Sequence, residues 1–473
     1  MATPYITIGC PTTGGGKVLS GDSSFLVQGI PAACVGDKAS CPKHNTVATI
    51  VTGDPYMQIN GKAVARVNDM LSCGCKLLPQ QNLVVGATGL SSGSSAPVST
   101  LSSNLNSNFV DSNKQYDLAL DKITIENNHF SPFGLPNVSG ELSAEKIKII
   151  LKVKKGNFDR VSVEVASNIG SQMISDQNGS FAAGSKIELE WDGFINDIYD
   201  SSQFITKGAI KLNIKGYASG QEESSLSEDI DLKYSKVKWI DTKINKKNKE
   251  VDYTIRISLS DGGEEGLQNS PQVPAYIVSN YGHSPIATRT VSFADLKKFA
   301  ESGMKKYWGR NNSRLVGTDI DLNGDKYQVN VQVLDTQSDT LPDMKLIYVT
   351  NKSPGRSRNW ELSRITYYNI GYLKYSTQWA YLDQINADAS FEETISHEIG
   401  HEILKYGGGS GYSKTHKGSS TILQNVKKGT SYPMVGEIDI MKYVENNQTT
   451  NFYDRVVASE EDVKSLIWIG GLK

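Results

Sequence analysis

Apolar and polar residues alternate in short runs through the middle of this chain: Lys146–Lys154, Arg160–Ala166, Ile187–Trp191, Ile210–Lys215, Ile230–Lys233 and Val251–Ser258. Period-two alternation puts one face of each run into a core. Several such runs at regular spacing predict a β-sandwich. Further on the pattern changes. Ser292-Phe-Ala-Asp295 has the form of a capping box and predicts a helix running to about Tyr307. Strands at Tyr327–Leu334 and Met344–Val349 follow. Ser390-Phe-Glu-Glu393 then predicts the start of another helix, with Gly407-Gly-Gly409 as its stop. Between these, Asp319-Ile-Asp-Leu-Asn-Gly-Asp325 imitates the start of a calcium loop, but Asn330 stands where such a loop needs a bidentate Glu. Asn323-Gly324 is therefore read as a hairpin turn into the next strand.

The first 86 residues follow a different rule. Shifted by 32 residues, the chain meets itself: Gly21-Asp22 with Gly53-Asp54, Gly29 with Gly61, Ala33 with Ala65, Val35 with Val67, Asp37 with Asp69, and Ser40-Cys41 with Ser72-Cys73. Self-similarity at a fixed period means stacked copies of one small unit. Each copy reads as short strands broken by Gly-Asp and Asn-Gly turns. Units this small have little core, and a metal commonly staples them. Residues 87–113 then turn rich in Ser, Asn and Gly with almost no charge, the composition of a flexible linker. The expected organisation is a repeat domain at 1–86, the linker at 87–113, a β-rich spacer at 114–270 and an α+β domain at 271–473. The fold class is multidomain α+β.

Composition narrows the function. Net charge is −2 in 473 residues, so a nucleic acid is not the expected partner. No apolar run approaches the ~20 residues that cross a bilayer. The first ten residues lack the charged-then-apolar pattern of a secretory signal. The chain is expected to be made in the cytoplasm and, if exported, to leave by a route that reads no such signal. No catalytic constellation is visible between 114 and 270, and His129 there is read as an ordinary packed or surface residue.

All five cysteines, Cys10, Cys34, Cys41, Cys73 and Cys75, lie in the first 75 residues. An odd count in a segment expected to fold in the cytoplasm points to metal ligation rather than disulfides. Cys41-Pro-Lys-His44 and Cys73-Gly-Cys75 supply thiolate and imidazole, a donor set for tetrahedral structural zinc. The alternative is buried free cysteines acting as small apolar side chains. Cys10 and Cys75 compete for the fourth place. The run Gly29-Ile-Pro-Ala-Ala-Cys-Val-Gly-Asp-Lys-Ala-Ser-Cys-Pro-Lys-His44, followed by Gly61-Lys-Ala-Val-Ala-Arg-Val-Asn-Asp-Met-Leu-Ser-Cys-Gly-Cys75, resembles a PAAR-motif domain. The resemblance implies a pointed β-cone held by a zinc near its tip, capping the spike of the bacterial type VI secretion machine. Many relatives have a histidine where this chain has Thr13. That makes Cys10 the first choice as substitute ligand beside Cys41, His44 and Cys73, with Cys75 as the alternative.

Three of the six histidines, His397, His401 and His416, fall within 20 residues near the other end. His397-Glu398-Ile399-Gly400-His401 sits inside the second helix. Residues four apart differ by about 40° around a helix, so the two imidazoles share a face and can bind one metal. Glu398 lies one step round. Zinc acidifies water, and a carboxylate beside it can take the proton as that water attacks a carbonyl. The alternative is a pair of surface histidines beside a solvated glutamate. A third protein ligand is required: His416 is the first choice, Glu437 and Asp439 the competitors. This region resembles a zincin metallopeptidase, which places HExxH on a helix behind a mixed sheet with substrate along the edge strand. Asp439-Ile-Met441-Lys-Tyr443 also resembles the methionine turn of the metzincin branch, where the methionine floors the metal and a nearby tyrosine assists the oxyanion. Two features depart from that branch: Leu404 replaces its glycine, and His416 comes 15 positions after His401. Met441 and Tyr443 read equally well as core residues.

Taken together, the two resemblances imply a type VI effector. Its tip docks on the spike trimer and carries a zinc peptidase into a target cell, with the periplasm as the expected destination. They also imply two zinc ions, one structural and one catalytic, a protein or cell-wall peptide as substrate, and a cognate immunity protein in the producer. The alternatives are a spike cap whose C-terminal domain only binds a target or adaptor, and a zinc amidase of the cell wall.

Overall fold

The structure, a computed structural model, describes residues 3–27, 30–59, 62–79, 85–86, 115–414, 431–442 and 449–473. The expected linker, His416 and Tyr443 lie outside the described residues. The chain forms two compact units, Met1–Phe109 and Val110–Lys473.

The first unit carries the repeat into three dimensions. Hairpin Asp22–Val27 with Ile30–Ala32 recurs as Asp54–Ile59 with Lys62–Val64, at the sequence offset. The aspartates found by self-alignment explain why. Asp37 accepts the Cys34 backbone N–H at 2.7 Å and the Ser20 hydroxyl at 2.7 Å. Asp69 accepts the Arg66 N–H at 2.6 Å and the Thr52 hydroxyl at 2.7 Å. Each aspartate thus closes one turn of its own copy and ties it to the preceding strand. The apolar core is small, made of residues such as Ile6, Val18, Ile50, Leu71 and Leu77.

The second unit is mostly β, with few helices. Two antiparallel sheets form its first part. One runs Lys186–Trp191, Ile147–Lys155, Asp117–Ile125; the other runs Gly170–Ala182, Asn157–Ser167, Lys211–Ala218, Gln221–Asp229. Their inward faces, including Ile149, Leu151, Val163 and Ile214, join one apolar cluster, as alternation predicts. Three of these strands escaped the sequence reading: Asp117–Ile125, Gly170–Ala182 and Gln221–Asp229. Gly170–Ala182 and Gln221–Asp229 are edge strands with polar, largely exposed side chains, so they carry no apolar period. Ile230–Lys233, expected as a strand, follows one instead.

The expected boundary at 270 does not separate two cores. Glu250–Ile257 pairs in parallel with Asp325–Asp335 inside a five-stranded sheet, and the same apolar cluster runs from Leu118 to Leu472. A second mixed sheet orders Leu259–Glu265, Met344–Thr350, Ser363–Tyr375 and Arg358–Trp360, with Gln378–Leu382 also on Ser363–Tyr375. Helix Phe293–Trp308 starts with the expected capping box between Ser292 and Asp295. Asn323 and Gly324, at φ 56° and 89°, form the hairpin turn rather than a calcium loop. His129 is packed against Trp468 with ring centroids 4.4 Å apart, and burial pulls its pKa down to about 4.

Candidate metal centres and cleft

In the first unit, Cys41 ends the strand Lys38–Cys41 and His44 ends the 3-10 turn Pro42–His44. The second copy brings Cys73 and Cys75 against them. The ligand atoms of these four residues all lie within 4.8 Å of one another. Cys41 Sγ is 3.2 Å from His44 Nδ1 and 3.6 Å from Cys75 Sγ, and Cys75 Sγ is 3.5 Å from His44 Nδ1. Three thiols and an imidazole at this spacing fit tetrahedral zinc. Gly14 makes the room: a Cβ there would stand 2.5 Å from Cys41 Sγ and 2.9 Å from Cys75 Sγ. Burial pushes the Cys41 thiol up. For Cys73, burial acts the same way, but hydrogen bonds from the Cys75 backbone and the neighbouring thiols outweigh it and the thiol is lowered.

For the fourth ligand the grouping favours the alternative, Cys75, over the first choice, Cys10. Cys10 is fully buried in the small core and outside the group; its sulfur accepts the Thr7 N–H at 3.4 Å. Cys75 takes the place instead. The local reason is the turn Leu71–Cys75, closed by hydrogen bonds between Leu71 and Cys75 and between Gly74 and Leu71, which folds Cys75 back beside Cys73. Thr13 accepts the Lys76 N–H at 2.9 Å and so anchors the same turn.

In the second unit, His397, Glu398 and His401 lie on the helix Gln384–Lys414. It starts before Ser390, because Asp383 accepts the Asn386 N–H at 2.9 Å and takes the capping role. The glycine run does not end it. Gly409, at φ 76° and ψ 173°, kinks the chain and returns Ser413 to the histidines. The imidazole rings stand 4.7 Å apart at 87°. His397 Nδ1–H donates to the Ile440 carbonyl at 2.7 Å, and His401 Nδ1–H donates to the Ser413 carbonyl. With Nδ1 protonated, Nε2 is the atom of each ring that could bind a metal, and outer hydrogen bonds of this kind orient zinc-ligating histidines in general.

Glu398 is 8% exposed. Burial and then the Glu393 carboxylate push its pKa up to about 8, while Arg356 and Arg358 pull the other way. Its backbone carbonyl accepts Asn359 Nδ2 at 2.6 Å. Asn359 is the middle residue of the edge strand Arg358–Trp360, so the helix is tied beneath the rim of the sheet. Strand and helix enclose a cleft of about 490 Å³ lined by Arg356, Arg358, Trp360, His397, Glu398 and His401, among others.

The competitors for the third ligand are engaged elsewhere. Glu437 accepts Arg310 Nη2 at 2.8 Å and Nη1 at 3.0 Å, plus the Gly317 N–H at 3.1 Å. Asp439 Oδ1 accepts the Met441 N–H at 2.9 Å and shapes the turn that offers Ile440 to His397. Among the described residues, no third His, Cys, Asp or Glu forms a ligand group with His397 and His401. Met441 is buried, and a Cβ on Gly400 would stand 2.6 Å from its sulfur, so the turn packs directly against the HExxH helix. The sequence reading missed the two carbonyls, which no residue type announces. It also missed the Arg358–Trp360 strand, three residues with no apolar period.

Residues 8–79 match the family described as PAAR motif. With its Cys/His metal-binding group, that match implies a type VI secretion spike-tip protein. No curated protein matches the chain. Among solved structures, a Ruminococcus gnavus β-glucuronidase is similar at 8% identity and TM-score 0.16, over 40% of this chain and 24% of that one. A Lactobacillus rhamnosus β-glucuronidase is similar at 12% identity and TM-score 0.15, over 54% and 31%. The chain thus spans under a third of those proteins, and likeness at this level carries no argument about fold or activity. Among the described residues, no helix is long and apolar enough to cross a membrane.

Proposed function

We propose that this chain is a type VI spike-tip protein whose second unit is a zinc-dependent peptidase delivered into a target cell. The tip would dock on the spike trimer, and the producing cell would hold a cognate immunity protein. The observation that carries the enzymatic part is the pair of Nδ1–H to carbonyl bonds from His397 and His401, beside a buried Glu398 in a cleft. Surface histidines have no need of two fixed tautomers, and a binding module has no use for a buried carboxylate there. His416 is the proposed third ligand.

Zinc in this site supplies polarisation of the scissile carbonyl and acidification of the attacking water. The chain's residues do the rest. Glu398 takes the proton of the attacking water and returns it to the departing amine. Asn359 fixes the helix against the edge strand, along which an extended peptide can pair.

The test compares the full chain with Glu398→Gln, each loaded with zinc. Zinc per chain should be two in both. Peptide hydrolysis, and killing of a neighbour that lacks the immunity protein, should be lost only in the variant. Unchanged hydrolysis or killing in the variant sinks the peptidase reading.

A further inference from the structure

The cleft beside Glu398 is lined by three cations, Arg356, Arg358 and Lys414, and none makes an ion pair among the described residues. Elsewhere in the unit, several guanidinium groups at partly buried positions have carboxylate partners, Arg256 with Asp241, Arg289 with Asp261, Arg310 with Glu437 and Arg364 with Glu402, while Arg314 donates to backbone carbonyls instead. Arg358 is nevertheless held in place. Its Nε donates to Ser363 Oγ at 2.7 Å and its Nη1 to the Arg356 carbonyl at 3.2 Å, leaving Nη2 without a partner among the described residues. A fixed fork with an open nitrogen is preorganised for a carboxylate.

We propose that the cleft selects an acidic peptide. Arg356 and Arg358 hold a substrate carboxylate. This rests on the peptidase reading for its consequence but not for its binding. Acidic side chains of a protein segment and the free carboxylates of wall stem peptides share this chemistry.

The experiment measures binding and cleavage of fluorescein-labelled hexapeptides by the full chain with zinc. One peptide carries glutamates, a second carries glutamines at the same places, a third lysines, and purified wall stem peptides form a separate arm. Expected is binding of the glutamate peptide at least tenfold tighter than its glutamine twin, weakening with salt. Arg356→Ala, an exposed side chain with no hydrogen bond that could disturb the fold, should erase about tenfold of that preference. Arg356→Glu should favour the lysine peptide. A stronger response in either the protein-like or the wall arm supports the proposal and names its source. Equal binding of the glutamate and glutamine peptides overturns it, even if both are cut. Selective binding without any cleavage leaves it standing and overturns the peptidase reading instead.

Discussion

The two candidate metal centres are built by opposite means. At the tip, four donors from two copies of a repeat converge until each ligand atom is within 4.8 Å of the others. In the second unit, two donors come from one helix by its own periodicity, and their orientation comes from backbone carbonyls at residues 413 and 440. The tip is a closed set whose geometry is its whole purpose, as structural zinc requires. The helix pair opens onto a cleft and keeps a carboxylate beside it, as the proposed peptidase would require. Donor number and access, rather than residue type alone, separate the closed group at the tip from the open pair proposed for catalysis.

Removing a ligand at the tip gives the largest expected effect. Structural zinc in small domains carries a binding free energy of order 10 kcal/mol, which is folding free energy when the core is small. Cys75→Ser should release about one zinc per chain and expose the amides of residues 30–79 to hydrogen exchange, while the second unit keeps its protection. Retention of both zincs in that variant would return the fourth place to Cys10. Next in size is His416→Ala, which should lose most of the other zinc and lower hydrolysis by about a hundredfold or more. Glu437→Gln is its counterpart. It breaks the pair with Arg310 and should cost about 1–3 kcal/mol of stability with zinc intact. If Glu437→Gln loses zinc and His416→Ala does not, the assignment is reversed.

What could be read from sequence follows the same division. Self-alignment at 32 residues located both hairpins and both turn aspartates, because each copy repeats its own local hydrogen bonds. HExxH located the helix pair, because four-residue spacing fixes direction. Cys75 against Cys10 could not be decided, since both are near in sequence to plausible turns and only the fold shows which sulfur meets Cys41. The partners Ile440 and Ser413 act through carbonyls that every residue has. Polar edge strands such as Gly170–Ala182 lack the alternation that marked their neighbours. A parallel pairing joins residues 250–257 to 325–335 across the expected boundary at 270, over an excursion that local patterning does not announce.

A smaller perturbation probes how the helix site is supported. Gly400→Ala adds a methyl 2.6 Å from Met441 Sδ and 2.9 Å from Trp308 Cζ2. Overpacking of this kind costs about 1–3 kcal/mol, partly offset by the ~1 kcal/mol that alanine contributes to a helix over glycine. The displaced turn carries Ile440, so the His397 hydrogen bond should loosen. Zinc affinity of the second unit should fall while that of the tip stays constant in competition with a chelator. Equal loss at both centres would mean that the variant acts through general instability.

The smallest expected effect is the most discriminating at the tip. Cys10 sits in the apolar core of the first unit, with its sulfur 3.4 Å from the Thr7 nitrogen and 3.5 Å from the Thr7 hydroxyl. A serine oxygen can keep both contacts and loses only the apolar character of the sulfur, so Cys10→Ser should cost about 1 kcal/mol. Zinc per chain should not change, and chelator resistance should match that of the parent protein. Cys10 and Cys75 are the same residue type, in the same unit, and both buried. Opposite outcomes for the same chemical change would therefore isolate position within the ligand cluster as the cause. A zinc lost from Cys10→Ser would mean that burial beside Thr7 and ligation are not alternatives, and that the sulfur moves to the metal when the metal binds.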